Sequence, residues 1–513
     1  MVSTYNILIV VTAALGSFTY GFDSAIIGSV FGLPSFFSYF DLTLNGADSA
    51  SIIGAANGLF AGGGMIGAAI NGWLADRLGR VRAIQIPCML GVIAAAIMGG
   101  SVHVAMFLVG RCLAGISCGM LSIVTPLYQS EVSPARERGR MVGAHGILVV
   151  TGYVSTNIDS PDGHRDLTSF EAFAAWTGYG CYFESNAEVQ WRLCLSLQAV
   201  APLLLLIATP RIPESPRWLV ARGQRERALE ILNRLQPTTE ANVESAAETL
   251  TEICAQTAVE SENHQGFLQS LKDSQTRKRF LCAFFVQCIA QSSGILVISN
   301  YQVLLWNNLG LYGSLPLLLY SVYTSWAACL NWVASRIVDR IGRVRMMIIG
   351  LSGCVLSLSL YTAMVAEYSG SDNKAGNAMG ILFLFLHLTF YATFVDVTSY
   401  VYCSEIFPTN QRAQGVATSI VGLFMATLIY TEAAPTAFAH IAWKYYLVFI
   451  LVSAAGVPLI AQFPETKGLS LEGSAALFGA PDAGQLEPKK AQVELVEDSI
   501  SAEHVQDISA RSQ

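Results

Sequence analysis

A seven-residue string, Asp76-Arg77-Leu78-Gly79-Arg80-Val81-Arg82, returns almost unchanged as Asp339-Arg340-Ile341-Gly342-Arg343-Val344-Arg345, 263 residues further on. A second pattern, Glu131-x-x-Pro134-x-x-x-Arg138, returns as Glu405-x-x-Pro408-x-x-x-Arg412 after 274 residues. Two independent repeats at nearly one offset mean that a single architectural unit is present twice, in parallel order.

The nature of the unit follows from the sequence around the repeats. Of the 513 residues 53% are hydrophobic and only 13% charged, about half the charged fraction of a soluble chain. Apolar segments long enough to cross ~30 Å of hydrocarbon recur at 6–31, 51–74, 83–104, 106–128, 141–183, 193–210, 279–303, 312–337, 346–366, 378–403, 411–435 and 441–462. The sequence therefore predicts an all-α membrane protein of twelve transmembrane helices in two six-helix pseudo-symmetric halves. The expected divisions are 1–210 for the first half, 211–278 for a cytoplasmic loop, 279–466 for the second half and 467–513 for a disordered acidic tail. Parallel six-helix repeats around a midplane site are the sequence pattern of an alternating-access transporter.

The fifth segment breaks the pattern. Met141–Val154 is short for a span, and Ser155–Phe173 carries five charged side chains and Pro161 before an apolar run resumes at Ala174. Residues 155–173 read as a translated intron or as an external loop forced into helix 5. The first segment has no basic flank or cleavage signature and reads as a retained helix.

Charge settles orientation and excludes several classes. The intervals after the even-numbered spans, with the tail, hold 25 of the 30 Lys and Arg; Arg165, Arg192, Lys374 and Lys444 lie on the other side and Arg111 within span 4. This predicts both termini on the cytoplasmic side. No basic arm points to nucleic acid. The eleven cysteines show no metal-ligand or disulfide spacing, so neither a metal nor a disulfide framework is expected. Without a nucleotide-binding loop or catalytic triad context, neither an enzyme nor a cofactor is expected. In the loop, Ser215 with Pro216 reads as a helix start, and Leu219, Ala228, Leu229, Ile231, Leu232 and Leu235 form the apolar stripe of a helix under the bundle.

Gly21-Phe22-Asp23, the two Asp-Arg-x-Gly-Arg loops, Arg111 with Gly115 and Gly119, and Pro126-x-Tyr128-x-x-Glu131 stand in one order. So do Pro213-Glu214-Ser-Pro-Arg217-Trp-Leu, Glu405-Ile-Phe-Pro408 and Pro464-Glu-Thr-Lys-Gly468. With these motifs the chain resembles the sugar porters of the major facilitator superfamily, over roughly residues 10–472. Tyr400-Val-Tyr402 and Trp443-Lys-Tyr-Tyr446 resemble fungal plasma-membrane members.

The resemblance implies roles. Asp76, Arg77, Arg80, Glu131, Arg138, Glu214, Arg217, Asp339, Arg340, Arg343, Glu405 and Arg412 would form a cytoplasmic gate, with Glu131 facing Arg412 and Glu405 facing Arg138 across the halves. Asp23 would carry the coupled proton, with Arg111 as its counter-charge, since an ionised group in mid-span costs about 2.5–3.5 kcal/mol. Asp396 is a second intramembrane acid, either a titrating site or a hydrogen-bond acceptor in a wet vestibule. His145 reads as a helix-end residue.

Gln287 and Gln291 stand where the family has glutamines, and Gly294 and Tyr301 also match. Ala290, Leu296, Gly146 and Leu423 replace family amides, Asn300 stands for a tyrosine and Tyr400 for a tryptophan. The substrate-binding set expected is Gln287, Gln291, Asn300, Tyr301 and Tyr400. The implied function is secondary transport of a sugar or related small polyhydroxy solute by proton symport. The lost amides keep open a carrier or exporter of a less hydroxylated, quinate-like or acid-sugar metabolite, and a non-transporting nutrient sensor is the rival from another class. The expected partners are the solute, protons and the lipid bilayer, with the chain acting as a monomer.

Overall fold

The computed structural model describes residues 4–42, 47–132, 170–235, 272–308, 310–368, 373–407 and 411–467, with scattered positions between 246 and 257. Every element among them is helical. The first half contains α1 (Thr4–Val30), α2 (Ala47–Leu78), α3 (Arg80–Gly99), α4 (Val104–Val132), α5 (Phe170–Cys181) and α6 (Ala187–Leu197 continuing as Val200–Ala208). The second contains α7 (Ser274–Gln291 continuing as Ile295–Asn308), α8 (Leu315–Ile341), α9 (Arg343–Tyr368), α10, α11 (Arg412–Ile441) and α12 (Tyr446–Ile460). Helix α10 has three parts: Lys374–Phe390, a π-helical turn Tyr391–Asp396, and Val397–Glu405.

Length and composition alone qualify eight helical stretches among the described residues as membrane spans. The last, Gln414–Ile460, covers two crossings. Ala442 takes φ 46° there, and the Tyr430 ring lies 5.3 Å from that of Phe449, so the chain has turned back on itself. Apolar side chains ring the outside, among them Trp73, Ile93, Leu204, Leu356 and Leu451. That is the surface a bilayer solvates and water does not.

Inside the bundle, small residues set the helix spacing. Gly63 and Gly67 of α2 lie against the backbone of Cys112 and Ile116, while Gly115 and Gly119 of α4 lie against that of Phe60 and Gly64. A Cβ at any of the four would collide with main chain, so the two helices approach as closely as backbones allow.

Among the described residues the halves meet along four seams. Helix α2 runs against α11, with Gly54 on Pro435 and Gly64 on Phe424. Helix α1 packs on α7 and α8, where the Tyr320 hydroxyl donates to the Ala25 carbonyl at 2.9 Å. Trp176 of α5 donates to Ser325 of α8 at 3.1 Å, and α4 touches α11.

The described part of helix 5 begins at Phe170, four residues before the resumption expected at Ala174. The rest of the 155–173 insert, His145, the first part of span 5 and the acidic tail lie outside the described residues. Two short helices stand where the loop helix was expected, Pro216–Ala221 and Arg225–Leu235, parted by Gly223 at φ 75°. Ser215 caps the first, accepting from Trp218 N at 3.3 Å. Leu219, Ala228, Leu232 and Leu235 are buried as the stripe required.

Candidate functional site

A cavity of about 120 Å³ lies between the halves, lined from α1, α2 and α4 on one side and α7, α8, α10 and α11 on the other. That is well below the ~300–1,000 Å³ of drug-sized sites. Of the five residues expected to bind the solute, Gln291, Asn300 and Tyr400 line it. Gln287 and Tyr301 are not among the lining residues. Gln287 is buried against Cys403, and the Tyr301 hydroxyl is turned toward α11, donating to the Thr431 carbonyl at 3.1 Å. Each sits about one turn or one face away from the cavity wall, a difference that helical spacing alone does not resolve.

The wall contains residues that sequence reasoning did not single out. Asn57 of α2 supplies a third amide beside Gln291 and Asn300. Rings come from Tyr20, Phe60, Tyr320, Tyr323, Tyr391 and Phe424, in addition to Tyr400. Gln291 donates to the Tyr391 hydroxyl at 3.3 Å. Asp396 also lines the cavity, where Asn331 of α8 donates to its Oδ2 at 3.0 Å. It closes the π-helical turn of α10, an irregularity that helices often carry at functional sites.

Asp23 and Arg111 are both buried on facing helices, but they do not form the expected carboxylate–guanidinium pair. Arg111 NH1 reaches the backbone carbonyl of Asp23 at 3.3 Å. Its guanidinium stacks 4.3 Å from the centre of the Phe60 ring, and the side chain contributes to the cavity wall. The Asp23 carboxylate instead accepts from the Cys118 thiol at 3.3 Å. A thiol two turns along α4 from the cation takes Oδ2, a contact that no spacing in the sequence reveals.

At the membrane edge the two sequence repeats become two copies of one side-chain cluster. In the first half, Arg80 Nε and NH2 each donate to Glu131 at 2.9 Å, and NH1 reaches Asp76 at 3.0 Å. Glu214 accepts from Arg80 N at 2.8 Å and Val81 N at 3.3 Å, occupying the N-terminus of α3, where unpaired N–H groups favour an anion. In the second half, Arg343 Nε and NH2 donate to Glu405 at 3.0 and 2.7 Å. Glu465 accepts from Arg343 N at 2.8 Å and Val344 N at 3.1 Å.

The match extends further. Tyr128 donates to the Pro213 carbonyl at 2.7 Å and Tyr402 to that of Pro464 at 3.2 Å. Gly79 and Gly342 hold φ 96° and 107°, a backbone region where a side chain would be strained. An added Cβ there would also strike Glu214 or Glu465.

At Glu131 and Glu405 the contacts are local ones. Glu131 gives both oxygens to Arg80 and not to Arg412. Glu405 gives both to Arg343, whereas Arg138 lies outside the described residues. Each arginine therefore ties helices of its own half: Arg80 joins α3 to α2 and α4, and Arg343 joins α9 to α10 and, through the Val338 carbonyl at 3.5 Å, to α8. The positive-φ glycine turns the first residue of α3 or α9 toward the end of α4 or α10, which places the local arginine nearer than the one across the seam. Arg77 stacks on Trp73 at 5.0 Å, Arg217 and Arg412 are half-buried, and Arg340 is exposed. The Arg340 carbonyl accepts from Lys467 at 2.5 Å; the Asp339 side chain is outside the description.

Glu465 and Thr466, whose hydroxyl donates to Glu405 at 2.6 Å, were missed as cluster members. The signal was present: Pro464-Glu465-Thr466 repeats Pro213-Glu214-Ser215, and Tyr402-x-Ser404-Glu405 repeats Tyr128-x-Ser130-Glu131.

The model of the Sugar (and other) transporter family matches residues 9–159 and 171–478. The chain belongs to this family. The matched stretches leave out 160–170, inside the insert marked by composition. Among curated proteins, this transporter is 30% identical to the MFS-type transporter criB of Aspergillus cristatus over 91% of its own length and 92% of that protein. It is 28% identical to a high-affinity glucose transporter of Kluyveromyces lactis, over 91% and 84% of the two chains. Its fold matches the proton:xylose symporter XylE bound to 6-bromo-6-deoxy-D-glucose with a TM-score of 0.74 at 22% identity, covering 93% of this chain and all of the other. The twelve-helix, two-half major facilitator fold is thereby established.

Proposed function

We propose that this family member is a proton-coupled secondary transporter that moves a sugar or related small polyhydroxy solute by alternating access. The observation carrying the reading is a small cavity between the halves whose wall holds amides, aromatic rings, Arg111 and Asp396. Amides donate and accept at once, which suits hydroxyls, and rings suit C–H faces. Asp23, on a helix beside the cavity, and Asp396 in its wall are the proton-coupling candidates. Gln291, Asn300 and Tyr400 are the first solute contacts, with Gln287 and Tyr301 behind them. The bias of Lys and Arg toward one face supports cytoplasmic termini, and a monomer in the plasma membrane completes the proposal.

The test is uptake in a transporter-deficient host with hexoses, pentoses, disaccharides, polyols and cyclic acids, with external pH recorded. Accumulation accompanied by alkalinisation is expected. Uptake that only equilibrates, with no proton movement, removes symport; a protein at the surface that moves nothing favours the sensor reading.

A second reading, transport of a less hydroxylated cyclic acid or metabolite, is favoured by the wall itself. It offers three amides, Asn57, Gln291 and Asn300, against seven aromatic rings. Hexoses emerging as the sole good substrates of the panel would reject it.

A further inference from the structure

Helix α7 is broken at Ser292–Gly294, where Gly294 takes φ 83° before the helix restarts at Ile295. Inside a membrane bundle the carbonyls freed by such a break need protein donors. Ser453 of α12 donates to the Ser292 carbonyl at 3.2 Å. The Ser293 carbonyl faces His387 Nε2 of α10 at 3.1 Å. The Ser292 hydroxyl meets the Tyr430 hydroxyl at 3.0 Å, and the Gly294 α-carbon abuts the Phe449 ring, leaving no room for a Cβ.

The hydrogen-bond geometry fixes the chemistry of the imidazole. A carbonyl oxygen can only accept, so Nε2 carries the hydrogen and Nδ1 is the bare nitrogen. Nδ1 is buried with no hydrogen-bond partner among the described residues, and the whole side chain is inaccessible. A second proton there would face no acceptor, which is costly in an apolar interior. His387 is thus built as a neutral donor. One turn later on the same helix, Tyr391 accepts from Gln291, the residue that ends the first part of α7 and reaches the cavity. Residues of α10 one turn apart therefore hold both the backbone of the break and the amide beside it.

We infer that His387 is a positioning residue, whose Nε2–H on the Ser293 carbonyl fixes the α7 break so that Gln291 presents its amide to the solute. The inference rests on the central cavity being the solute site.

Three variants test it: His387→Leu removes the donor, His387→Gln places an amide N–H near the Nε2 position, and His387→Asn places one near Nδ1. Hydrogen exchange of peptides covering the α7 break, measured on purified protein in lipid nanodiscs, needs no substrate. Exchange is expected to speed up in Leu and Asn variants and return toward wild type in Gln. Initial-rate uptake of labelled D-glucose, D-xylose and quinate should show KM raised about tenfold in the Leu variant. Vmax should stay within about twofold and the Gln variant should restore KM. Equal exchange in all four proteins, or rescue by Asn as good as by Gln, overturns the inference. Altered exchange with wild-type protein that moves none of the probes would uphold the backbone role and instead refute the solute-site reading on which the presentation of Gln291 rests.

Discussion

Arg111 meets Asp23 through the backbone. Its NH1 lies 3.3 Å from the Asp23 carbonyl oxygen, while the carboxylate takes the Cys118 thiol at 3.3 Å and leaves Oδ1 without a hydrogen-bond partner. The guanidinium is stacked on Phe60 at the cavity wall. Protonation of Asp23 in this arrangement would break no carboxylate–guanidinium hydrogen bond.

Asp23→Asn should abolish solute accumulation and proton movement while preserving counterflow, because the amide keeps the shape and loses the titration. Cys118→Ser, which retains a donor to Oδ2, should accumulate solute nearly as wild type does. Cys118→Val, which removes the donor, should lower the accumulation ratio several-fold. Accumulation by Asp23→Asn equal to wild type would reduce the acid to helix packing.

Double-mutant cycles distinguish the observed clusters from a gate bridging the halves. Arg80 and Glu131 are 9% and 8% exposed at the side chain and share two hydrogen bonds. Their Gln variants should couple by about 1–3 kcal/mol in unfolding, whereas Glu131 and Arg412 should couple by less than about 0.5 kcal/mol. The same contrast should hold for Glu405 with Arg343. Measuring the melting of purified single and double variants in detergent decides it; strong Glu131–Arg412 coupling would restore the bridging gate.

The repeats and the spans were legible because each rests on local information, whereas cluster membership was legible only in part: Glu465 and Thr466 were missed. Hydropathy marks a span, and a glycine between two arginines marks the same turn twice. The partners were less legible. Glu131 has an arginine available in either half, and only the backbone turn at Gly79 decides which is near. Gln287 and Gln291 are one helical turn apart on one continuous helical segment, and only the packing of the neighbouring helices decides which one meets the cavity. Asn57, Cys118 and Asn331 look like ordinary helix-lining residues until the neighbouring helix is in place.

Stability should fall with pH at one acid outside the spans, Glu214. Glu214 is held above the ordinary glutamate range by burial, against the opposing effect of backbone hydrogen bonds from Ser215, Arg80 and Val81 and of the Arg80 charge. A carboxyl with a raised pKa keeps its proton in the folded protein at a pH where the unfolded chain has lost it. Its contribution is therefore fully present below the unfolded value and declines as pH rises through the folded one. Glu214→Gln should flatten that part of the melting-temperature profile between the ordinary glutamate range and the raised value. The slope is the readout, since Gln also weakens the acceptor; an unchanged slope would show that Glu214 does not titrate there.

The two glutamines of α7 should fail differently. Gln291→Ala removes a cavity amide and should raise KM about tenfold with folding little changed. Gln287→Ala lies behind the wall against Cys403 and should lower melting temperature, with KM within about twofold of wild type. Substrate protection against thermal unfolding reports both effects in one titration. A larger KM effect at Gln287 would place it in the solute contact and move the wall one turn along α7.

Residues 155–169 offer the sharpest test of the chain itself. The family match stops at 159 and resumes at 171, and the described helix α5 begins at Phe170 and packs on α1 and α8. Joining Val154 to Phe170 gives Met141–Val154 followed by Phe170–Phe183, a continuous apolar run of 28 residues (14 + 14) carrying one acid, Glu171. That length is ample for ~30 Å at 1.5 Å per residue. The shortened chain should reach the membrane at least as well as the full one and transport at an equal or higher rate. If it is retained and inactive while the full-length protein works, residues 155–169 are a functional loop of helix 5; transcripts that always lack their codons would make them an intron read as coding sequence.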